Sequence, residues 1–431
     1  MKTKKLASLA TGLALAMSLT GQADASSTAD TKMLLELKAM LEKQQAQIDK
    51  QAAELTTLRQ KLAGNTEVLT TKASKEDVAK VTEATDKMVT SKFSNVDFSL
   101  YGQIDRAVLY SDNGDSKDLY SVDNANSNTR MGFNAGVDTS SGWLVGGRIE
   151  YGLVSNASND VNQNKTNDAT DTYIKNRWAE MSFKHDTYGK ISLGKGSSAT
   201  DGTAEVDLSG TDVAAYASIA DTAGGMLWND SATNTVSGTK IGNVFNDFDG
   251  LGRTDRVRYD TASFAGFSLA GSGASGDAWD GALRYNRKFG ETKVVAAFGA
   301  SSPGDVIDGV DMQYSGSASV LLPMGFNATI SGGVRDLKDS DRDDPTNWYA
   351  KIGYKTSFYS AATTAFSIDY GQAENLAQDD DKGKTWAVTA VHDIADWGTE
   401  FYLTYRNHEL DRNDTDFDDI NVVMAGARLK F

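Results

Sequence analysis

DDINVVMAGARLKF, residues 418–431, is the stretch from which the fold can be deduced. Side chains along an extended strand alternate between two faces. One face is mostly apolar and ends in an aromatic residue: Val423, Ala425, Ala427, Leu429 and Phe431. The opposite face carries Arg428 and Lys430. The pattern predicts a membrane strand with one face towards lipid and a charged face on the other side, and a soluble sheet that happens to end in Phe is the alternative.

The composition excludes several classes of protein. The chain has 431 residues, with 40 Gly, only 3 Pro and no Cys, and its formal net charge is -16. After the amino terminus, no apolar run of about 18 residues occurs, so ordinary transmembrane helices are not predicted. Barrel strands need an apolar residue only at every second position. Strong acidity argues against a nucleic-acid partner.

The amino terminus has the pattern of a secretory signal peptide. Lys2, Lys4 and Lys5 precede the apolar stretch 6–19, and an A-x-A site follows at 23–25. Residues 1–25 are therefore predicted to be removed, and the protein is expected to be exported. Without Cys, the exported chain has no disulfide framework.

A heptad repeat follows the signal peptide. Apolar residues recur every seventh position at Leu34, Leu41, Ile48, Leu55, Leu62 and Leu69. Polar residues at intervening core positions, such as Gln44 and Gln51, weaken such a seam but specify register and strand number. Residues 26–93 are therefore predicted to form a periplasmic coiled-coil stalk in two parts, with an isolated amphipathic helix as the alternative.

Residues 94–431 are predicted to form an antiparallel transmembrane β-barrel of about sixteen strands, an all-β membrane fold. The connections sort into two alternating classes. The short ones are 139–142, 186–189, 263–266, 289–291, 322–325, 356–361 and 394–398. The long ones are 113–127, 155–171, 197–252, 274–277, 301–308, 336–346, 372–383 and 410–417. A barrel accounts for this, because its two sets of turns face opposite sides of the membrane, and an even strand count lets the last strand pair with the first.

One strand departs from the alternation. If Arg177 faces the lumen, strict alternation across 173–184 places Glu180 and Lys184 outside. The sequence therefore predicts either a β-bulge or an outer face that is covered by protein.

Several short motifs resemble the general trimeric porins of Gram-negative outer membranes. They are LYGQ at 100–103, TRMGF at 129–133, YGKISLG at 188–194, RVRYD at 256–260 and FAGF at 264–267, together with the terminal Phe431. The resemblance covers residues 98–431. It implies a side-by-side homotrimer, a long third loop that folds inward, and a terminal Phe that is read by the barrel assembly machinery as an assembly signal.

The resemblance also implies a charged pore constriction. The connection 197–252 is the inward loop, and its expected constriction acids are Asp201, Glu205, Asp207, Asp212 and Asp221. The opposing basic wall is expected at Arg130 and Arg177 by motif position and at Arg148, Arg256 and Arg258 by lumen parity. The Pro-Glu-Phe-Gly-Gly turn of the enteric porins is missing from this loop. A solvated outer loop is the alternative for these acids.

Patterns for other chemistry are weak. Gly189-x4-Gly194-Lys195 imitates a phosphate-binding loop, but Gly196 replaces the Ser or Thr and no helix is predicted to follow. The acidic stretch 411–419 lacks the glycine and the terminal glutamate of a calcium loop. The three His have no triad or metal-cluster spacing. Neither catalytic residues, nor a metal, nor a cofactor is predicted.

Together these patterns predict an outer-membrane porin, a passive diffusion channel for small hydrophilic solutes and ions with a modest cation preference. Expected partners are two further copies of the chain, membrane lipid and lipopolysaccharide, the barrel assembly machinery and, through the stalk, peptidoglycan. The alternatives are a substrate-specific channel and a structural tether whose stalk contacts the cell wall.

Overall fold

The structure, a computed structural model, describes residues 96–431 except 168, 171–172, 339 and 360–361, together with residues 50, 53, 54 and 56. The predicted signal peptide and the predicted coiled-coil core at Leu34, Leu41, Ile48, Leu55, Leu62 and Leu69 lie outside these residues. Residues 50, 53, 54 and 56 are helical. In the part of the chain that is described, no helix has the length and hydropathy needed to cross a membrane.

Strands make up most of the described chain. In chain order they are β1 (Asp97–Asp112), β2 (Lys117–Asp123), β3 (Arg130–Asp138), β4 (Trp143–Leu153), β5 (Ile174–His185), β6 (Gly189–Ser197), β7 (Leu227–Asp230), β8 (Thr235–Lys240), β9 (Arg253–Asp260), β10 (Phe267–Ala274), β11 (Ala278–Phe289), β12 (Thr292–Ser302), β13 (Val310–Leu321), β14 (Phe326–Leu337), β15 (Thr346–Tyr359), β16 (Ala362–Glu374), β17 (Lys382–Ile394), β18 (Thr399–Arg412), β19 (Thr415–Asp416) and β20 (Ile420–Lys430). The helices are α1 (Ala220–Ala223) and α2 (Ile241–Val244), and 3-10 turns lie at Ala125–Ser127, Gly304–Val306 and Ala395–Trp397.

Sixteen of these strands form one closed antiparallel barrel, as the alternating connections predict. The short strands β2 and β19 extend two of the barrel hairpins, and β7 and β8 form a separate hairpin inside the longest connection. Every barrel strand pairs with a neighbour on each side over at least part of its length, so the sheet has no free edge strand.

The barrel closes between its first and last strands. β1 pairs with β20 from Gln103↔Lys430 to Asp112↔Asn421. The pairing continues through Phe431, whose carbonyl accepts from Gly102 N at 2.8 Å and whose N donates to Gly102 O at 3.0 Å. A Cβ on Gly102 would lie 2.7 Å from the Phe431 ring, so only glycine leaves room for this aromatic ring.

The two faces of the strands differ in polarity as predicted. On β1, Leu100, Ile104 and Val108 point outward and are about half exposed, whereas Gln103 and Asp105 point inward and are buried. An apolar outer face and a polar inner face are the arrangement of a membrane barrel.

The strand β5, which departs from strict alternation in the sequence, contains a β-bulge. Glu150 and Tyr151 on β4 pair with Trp178 and Asn176 on β5, which leaves Arg177 as an extra residue. The bulge allows both Arg177 and Glu180 to point inward, and it is one of the two interpretations that the sequence allowed.

One connection is shorter than predicted. The segment 274–277 was grouped with the long connections, but only residues 275–277 separate β10 from β11. Gly276 and Asp277 adopt positive φ angles of 79° and 57°, which lets the chain reverse within this short segment.

Candidate functional site: a charged constriction

Loop 3, residues 198–252, connects β6 to β9 and contacts inward-facing side chains of the wall. Its first part follows a row of serines on β13. Val206 N donates to Ser317 Oγ at 2.9 Å, and Leu208 N donates to Ser319 Oγ at 3.1 Å. Because serine is small and accepts hydrogen bonds, this row satisfies the loop backbone at close range.

The second part of loop 3 is held by an apolar core. Trp228, Ile241 and Phe245 are almost fully buried in one cluster with wall residues such as Leu410 and Ile420. Burial of each large apolar side chain stabilises the packed loop by roughly 1.5–3 kcal/mol. The loop is therefore fixed to the β13–β20 side of the lumen by hydrogen bonds and by apolar contacts.

Asp207 lies against this wall. Its Oδ2 is 2.6 Å from Lys351 Nζ on β15, and the two side chains are 5% and 0% exposed. Lys351 also donates to Thr211 Oγ1 at 3.1 Å. Asp207 was expected to be a constriction acid, but the structure places it away from the constriction because it neutralises a buried lysine.

The opposite side of loop 3 faces an open cavity of about 720 Å³. The loop contributes Asp201, Glu205, Asp212, Tyr216 and Asp221 to it. The wall contributes Arg130, Arg148, Arg177, Arg253, Arg428 and Lys430. The structure thus brings together four of the five expected acids and three of the five expected wall arginines. We call this cavity the constriction.

A carboxylate on the wall neutralises part of the basic row. Glu150 on β4 is 1% exposed and accepts from Arg148 Nη2 and from Arg177 Nε, each at 2.6 Å. Tyr101 OH donates to the same carboxylate at 2.8 Å. Such fully hydrogen-bonded charge clusters fix the side chains at the cavity surface.

Aromatic rings also hold Arg148. Its guanidinium carbon lies 4.1 Å from the centroid of the Trp178 ring and 5.4 Å from that of Tyr101. On β6, a Cβ at Gly196 would lie 2.8 Å from Trp178 Cε3. Trp178 is therefore packed between Arg148 and Gly196, and the stack is a rigid part of the wall.

A second carboxylate binds the basic groups of the last strand. Glu400 on β18 accepts from Arg428 Nε at 2.9 Å and from Lys430 Nζ. Arg428 Nη1 also donates to Ser127 Oγ at 2.6 Å. The first connection therefore reaches the constriction, where Asn128 Oδ1 accepts from Arg177 at 2.8 Å.

The remaining charges in the constriction have no opposite partner. Within the described part of the chain, neither Arg130 nor Arg253 forms an ion pair, and the same holds for Asp201, Glu205 and Asp212. Asp221 accepts hydrogen bonds from Tyr216 OH and, at 3.2 Å, from Asn159 Nδ2. Unpaired acids on the loop thus face two unpaired arginines on the wall.

Burial and mutual repulsion perturb the acids of loop 3. Burial, with Asp249 and Asp247 nearby, raises the pKa of Glu205 well above its usual value. Burial likewise raises the pKa of Asp249 to about 6 and, together with the Asp249 charge, that of Asp247 to about 8. The negative charge of the loop therefore depends on pH near neutrality.

Arg256 and Arg258 belong to a neighbouring cavity of about 880 Å³, on the side of the short turns. Arg256 Nη2 lies 2.6 Å from Glu180 Oε2, and Arg258 Nη2 lies 2.6 Å from Asp260 Oδ1. Asp201 lines both cavities, so they adjoin. The two arginines lie inside the barrel, as their parity predicted, but beyond the constriction.

Sequence reasoning missed several residues of the constriction. Glu150 and Glu400 share a strand face with residues that line the lumen, so parity could have identified them. Ser127 ends the predicted connection 113–127 and Asn128 follows it, and nothing in the sequence indicates that the chain turns inward there. Among the described residues, no group of three or more His, Asp or Glu side chains is arranged to hold a metal.

A closed sixteen-stranded barrel, apolar outside and polar inside, with a charged passage narrowed by an inner loop, defines an outer-membrane channel. The sequence profile of the family described as Gram-negative porin matches residues 82–414, and the chain belongs to this family. Its barrel lies in the outer membrane. No curated relative matches the chain.

Solved structures show the same fold at low sequence identity. The in-vitro folded OmpT, an outer membrane protein of Vibrio cholerae, is 13% identical with a TM-score of 0.52, covering 80% of this chain and 100% of that one. The anion-selective porin from Comamonas acidovorans is 14% identical with a TM-score of 0.51, covering 78% and 100%. The outer membrane channel DcaP of Acinetobacter baumannii is 12% identical with a TM-score of 0.50, covering 79% and 99%.

Proposed function

We propose that the protein is a porin through which small hydrophilic solutes and ions diffuse passively, without catalysis. The observation that carries the proposal is the constriction, in which loop acids face wall arginines across an open polar cavity. Opposed charges across a narrow passage orient polar solutes and disfavour apolar ones.

The pore is modestly cation-preferring at neutral to alkaline pH. Glu150 and Glu400 each bind two of the basic wall groups, which leaves Arg130 and Arg253 without an ion pair to any described residue. Glu150 and Glu400 offset two of the six positive charges of the wall, and the four loop acids offset the other four, so the acidic excess comes from Asp247 and Asp249 once they ionise. The excess of acidic groups is small, so the preference is weak and grows as salt is lowered.

The barrel works as a homotrimer, and the stalk reinforces the trimer. A trimeric form of OmpT from Vibrio cholerae, 13% identical with a TM-score of 0.51, supports this assembly. Lipid and lipopolysaccharide surround the outer face, the assembly machinery reads Phe431, and the stalk contacts peptidoglycan. The heptad residues behind the stalk proposal lie outside the described part of the chain.

Single-channel recording in planar bilayers tests the channel. Purified full-length protein should give stepwise conductance that rises in proportion to salt, and a salt gradient at pH 8 should give a cation-preferring reversal potential. Absence of conductance from folded protein would favour the structural tether. An anion-preferring potential at pH 8 would show that the wall arginines dominate.

A substrate-specific channel is the second candidate. The basic lining continues beyond the constriction through Arg256, Arg258 and Arg284, and an arginine track of this kind is expected in such a channel. Solute flux into liposomes separates the two, because a specific channel saturates with one solute class, whereas a general porin shows flux proportional to concentration.

A further inference from the structure

A small basic cavity lies beside the constriction, where β5 separates from β6. The two strands pair from Ala179↔Lys195 to His185↔Gly189, so the first five residues of β5 are unpaired on this side. The cavity has a volume of about 300 Å³. Its polar lining includes Lys175, Arg177, Lys195 and Arg253, with the amides of Asn128 and Asn159. We call it the basic fork.

Three of the four cationic groups of the basic fork lack an ion pair with a described residue. None of the described residues that line it is a carboxylate. Lys175 and Arg253 form no ion pair with a described residue, and Lys195 Nζ contacts only the Arg253 carbonyl, at 3.4 Å. Arg177 donates through Nε to Glu150 and through Nη1 to Asn128, which leaves Nη2 for another acceptor.

The described carboxylates nearby do not fill the cavity. Asp255 is opposite Lys195 in the sheet, but it neither pairs with this lysine within 4.0 Å nor lines the cavity. Asp221 belongs to the adjoining constriction, where Tyr216 and Asn159 bind it. Glu150 offsets part of the charge of Arg177, and the three other cationic groups repel one another around so small a volume unless an anion lies between them.

We infer that the basic fork binds a phosphate-type oxyanion carrying two negative charges. Guanidinium groups bind such oxyanions through paired donors, lysines act as point charges, and the amides add neutral donors. The oxyanion comes either from a phosphorylated solute that enters the pore or from the phosphate of a membrane lipid at the barrel rim. Only the first source rests on the proposed channel function.

Calorimetry with inorganic phosphate on detergent-solubilised full-length protein tests the site directly. Lys175→Gln with Arg253→Gln should weaken binding by tenfold or more, because two charge-assisted contacts are lost. The matched control, Lys288→Gln with Arg287→Gln, removes the same charges away from the fork and should leave binding unchanged. Equal phosphate affinity in all three proteins, or no binding to the parent protein, would overturn the inference.

Two further measurements distinguish the sources. If the oxyanion belongs to a free solute, replacing chloride by phosphate at constant ionic strength in phosphatidylcholine bilayers should interrupt the single-channel current. The variant Lys175→Gln with Arg253→Gln, the fork variant, should then lose these interruptions. If the oxyanion is the phosphate of a membrane lipid, the purified parent protein should retain more lipopolysaccharide phosphorus than the fork variant, and added phosphate should not interrupt the current. If the protein fails to conduct, the proposed function fails, whereas calorimetry still decides the site.

Discussion

Lys351 Nζ on β15 lies 2.6 Å from Asp207 Oδ2 on loop 3, and both side chains are almost completely excluded from solvent. This ion pair connects the barrel wall to the loop that narrows the lumen. A buried pair adds little net stability over an apolar pair, but removal of one partner leaves a buried charge uncompensated. The two neighbouring acids Asp207 and Asp212 therefore have different roles, since Asp212 is exposed and lines the constriction.

Asp207→Asn should loosen loop 3 with little change in ion preference. Because Lys351 loses its partner, the packed state of loop 3 should be destabilised by about 3–5 kcal/mol. Hydrogen exchange of amides 203–215 should therefore accelerate strongly. The double variant Asp207→Asn with Lys351→Met removes both charges and should recover part of the protection, whereas equal exchange in parent and single variant would contradict this role.

Asp212→Asn should shift ion preference with little effect on packing. The electrostatic interaction energy between a unit charge and a permeating ion about 6 Å away is roughly 0.7 kcal/mol in water. Loss of this charge should therefore lower the K⁺/Cl⁻ permeability ratio about two- to threefold. Reversal potentials in a salt gradient at pH 8 measure this change. Asp186→Asn, at a short turn outside the constriction, is the control, and an equal shift in both variants would exclude a local effect.

The ion preference should depend on pH between about 5 and 8. Burial first, and then neighbouring carboxylates, raise the pKa of Asp247 to about 8 and that of Asp249 to about 6, and the pKa of Glu205 is also raised. Acidification protonates these groups while the arginines keep their charge. The reversal potential should therefore move towards anions as pH falls, and a constant potential from pH 8 to pH 5 would contradict the assignment.

The same acids predict the pH dependence of loop packing. Their raised pKa values mean that the folded loop binds more protons than the unfolded chain above a pH of about 4. The stability they contribute is complete at low pH, and it is lost as pH rises through about 6 for Asp249 and about 8 for Asp247. After correction for the intrinsic exchange rate, amides of loop 3 should be better protected at pH 5.5 than at pH 8.5.

The sequence predicted the barrel more completely than the constriction. Period-two alternation and the parity of the connections depend on local residues, so they identified the strands and placed Arg148 inside, whereas Arg130 and Arg177 were expected there from the resemblance. The direction of loop side chains depends on tertiary partners, and no local pattern distinguishes Asp207, which binds Lys351, from Asp212, which faces the cavity. The inward turn at Ser127 depends on contacts with Gln103 and Arg428, which are distant in sequence.

Glu150→Gln should move the ion preference towards anions. This change keeps the shape of the side chain but removes the charge that balances Arg148 and Arg177. Glu150→Gln and Asp212→Asn each remove one negative charge, so the two shifts of the reversal potential should be of similar size. An unchanged potential, with the barrel still folded by its resistance to denaturation on gels, would show that these arginines do not face the permeating ion.

Deletion of Phe431 should reduce barrel assembly without changing conduction. The residue closes the barrel through two backbone hydrogen bonds to Gly102, and its ring covers that glycine on the outer face, away from the constriction. Loss of the ring removes an interfacial aromatic group and the proposed recognition signal, so the folded fraction in outer-membrane preparations should fall several-fold.

Gly102→Val provides an independent test, because its side chain would displace the ring while the carboxyl-terminal residue remains. If Phe431 acts only by packing on Gly102, both variants should assemble equally poorly, whereas recognition of the terminal aromatic predicts that the deletion has the larger effect. Channels that do insert should show parental single-channel conductance, and parental amounts of folded barrel from the deletion would contradict the prediction.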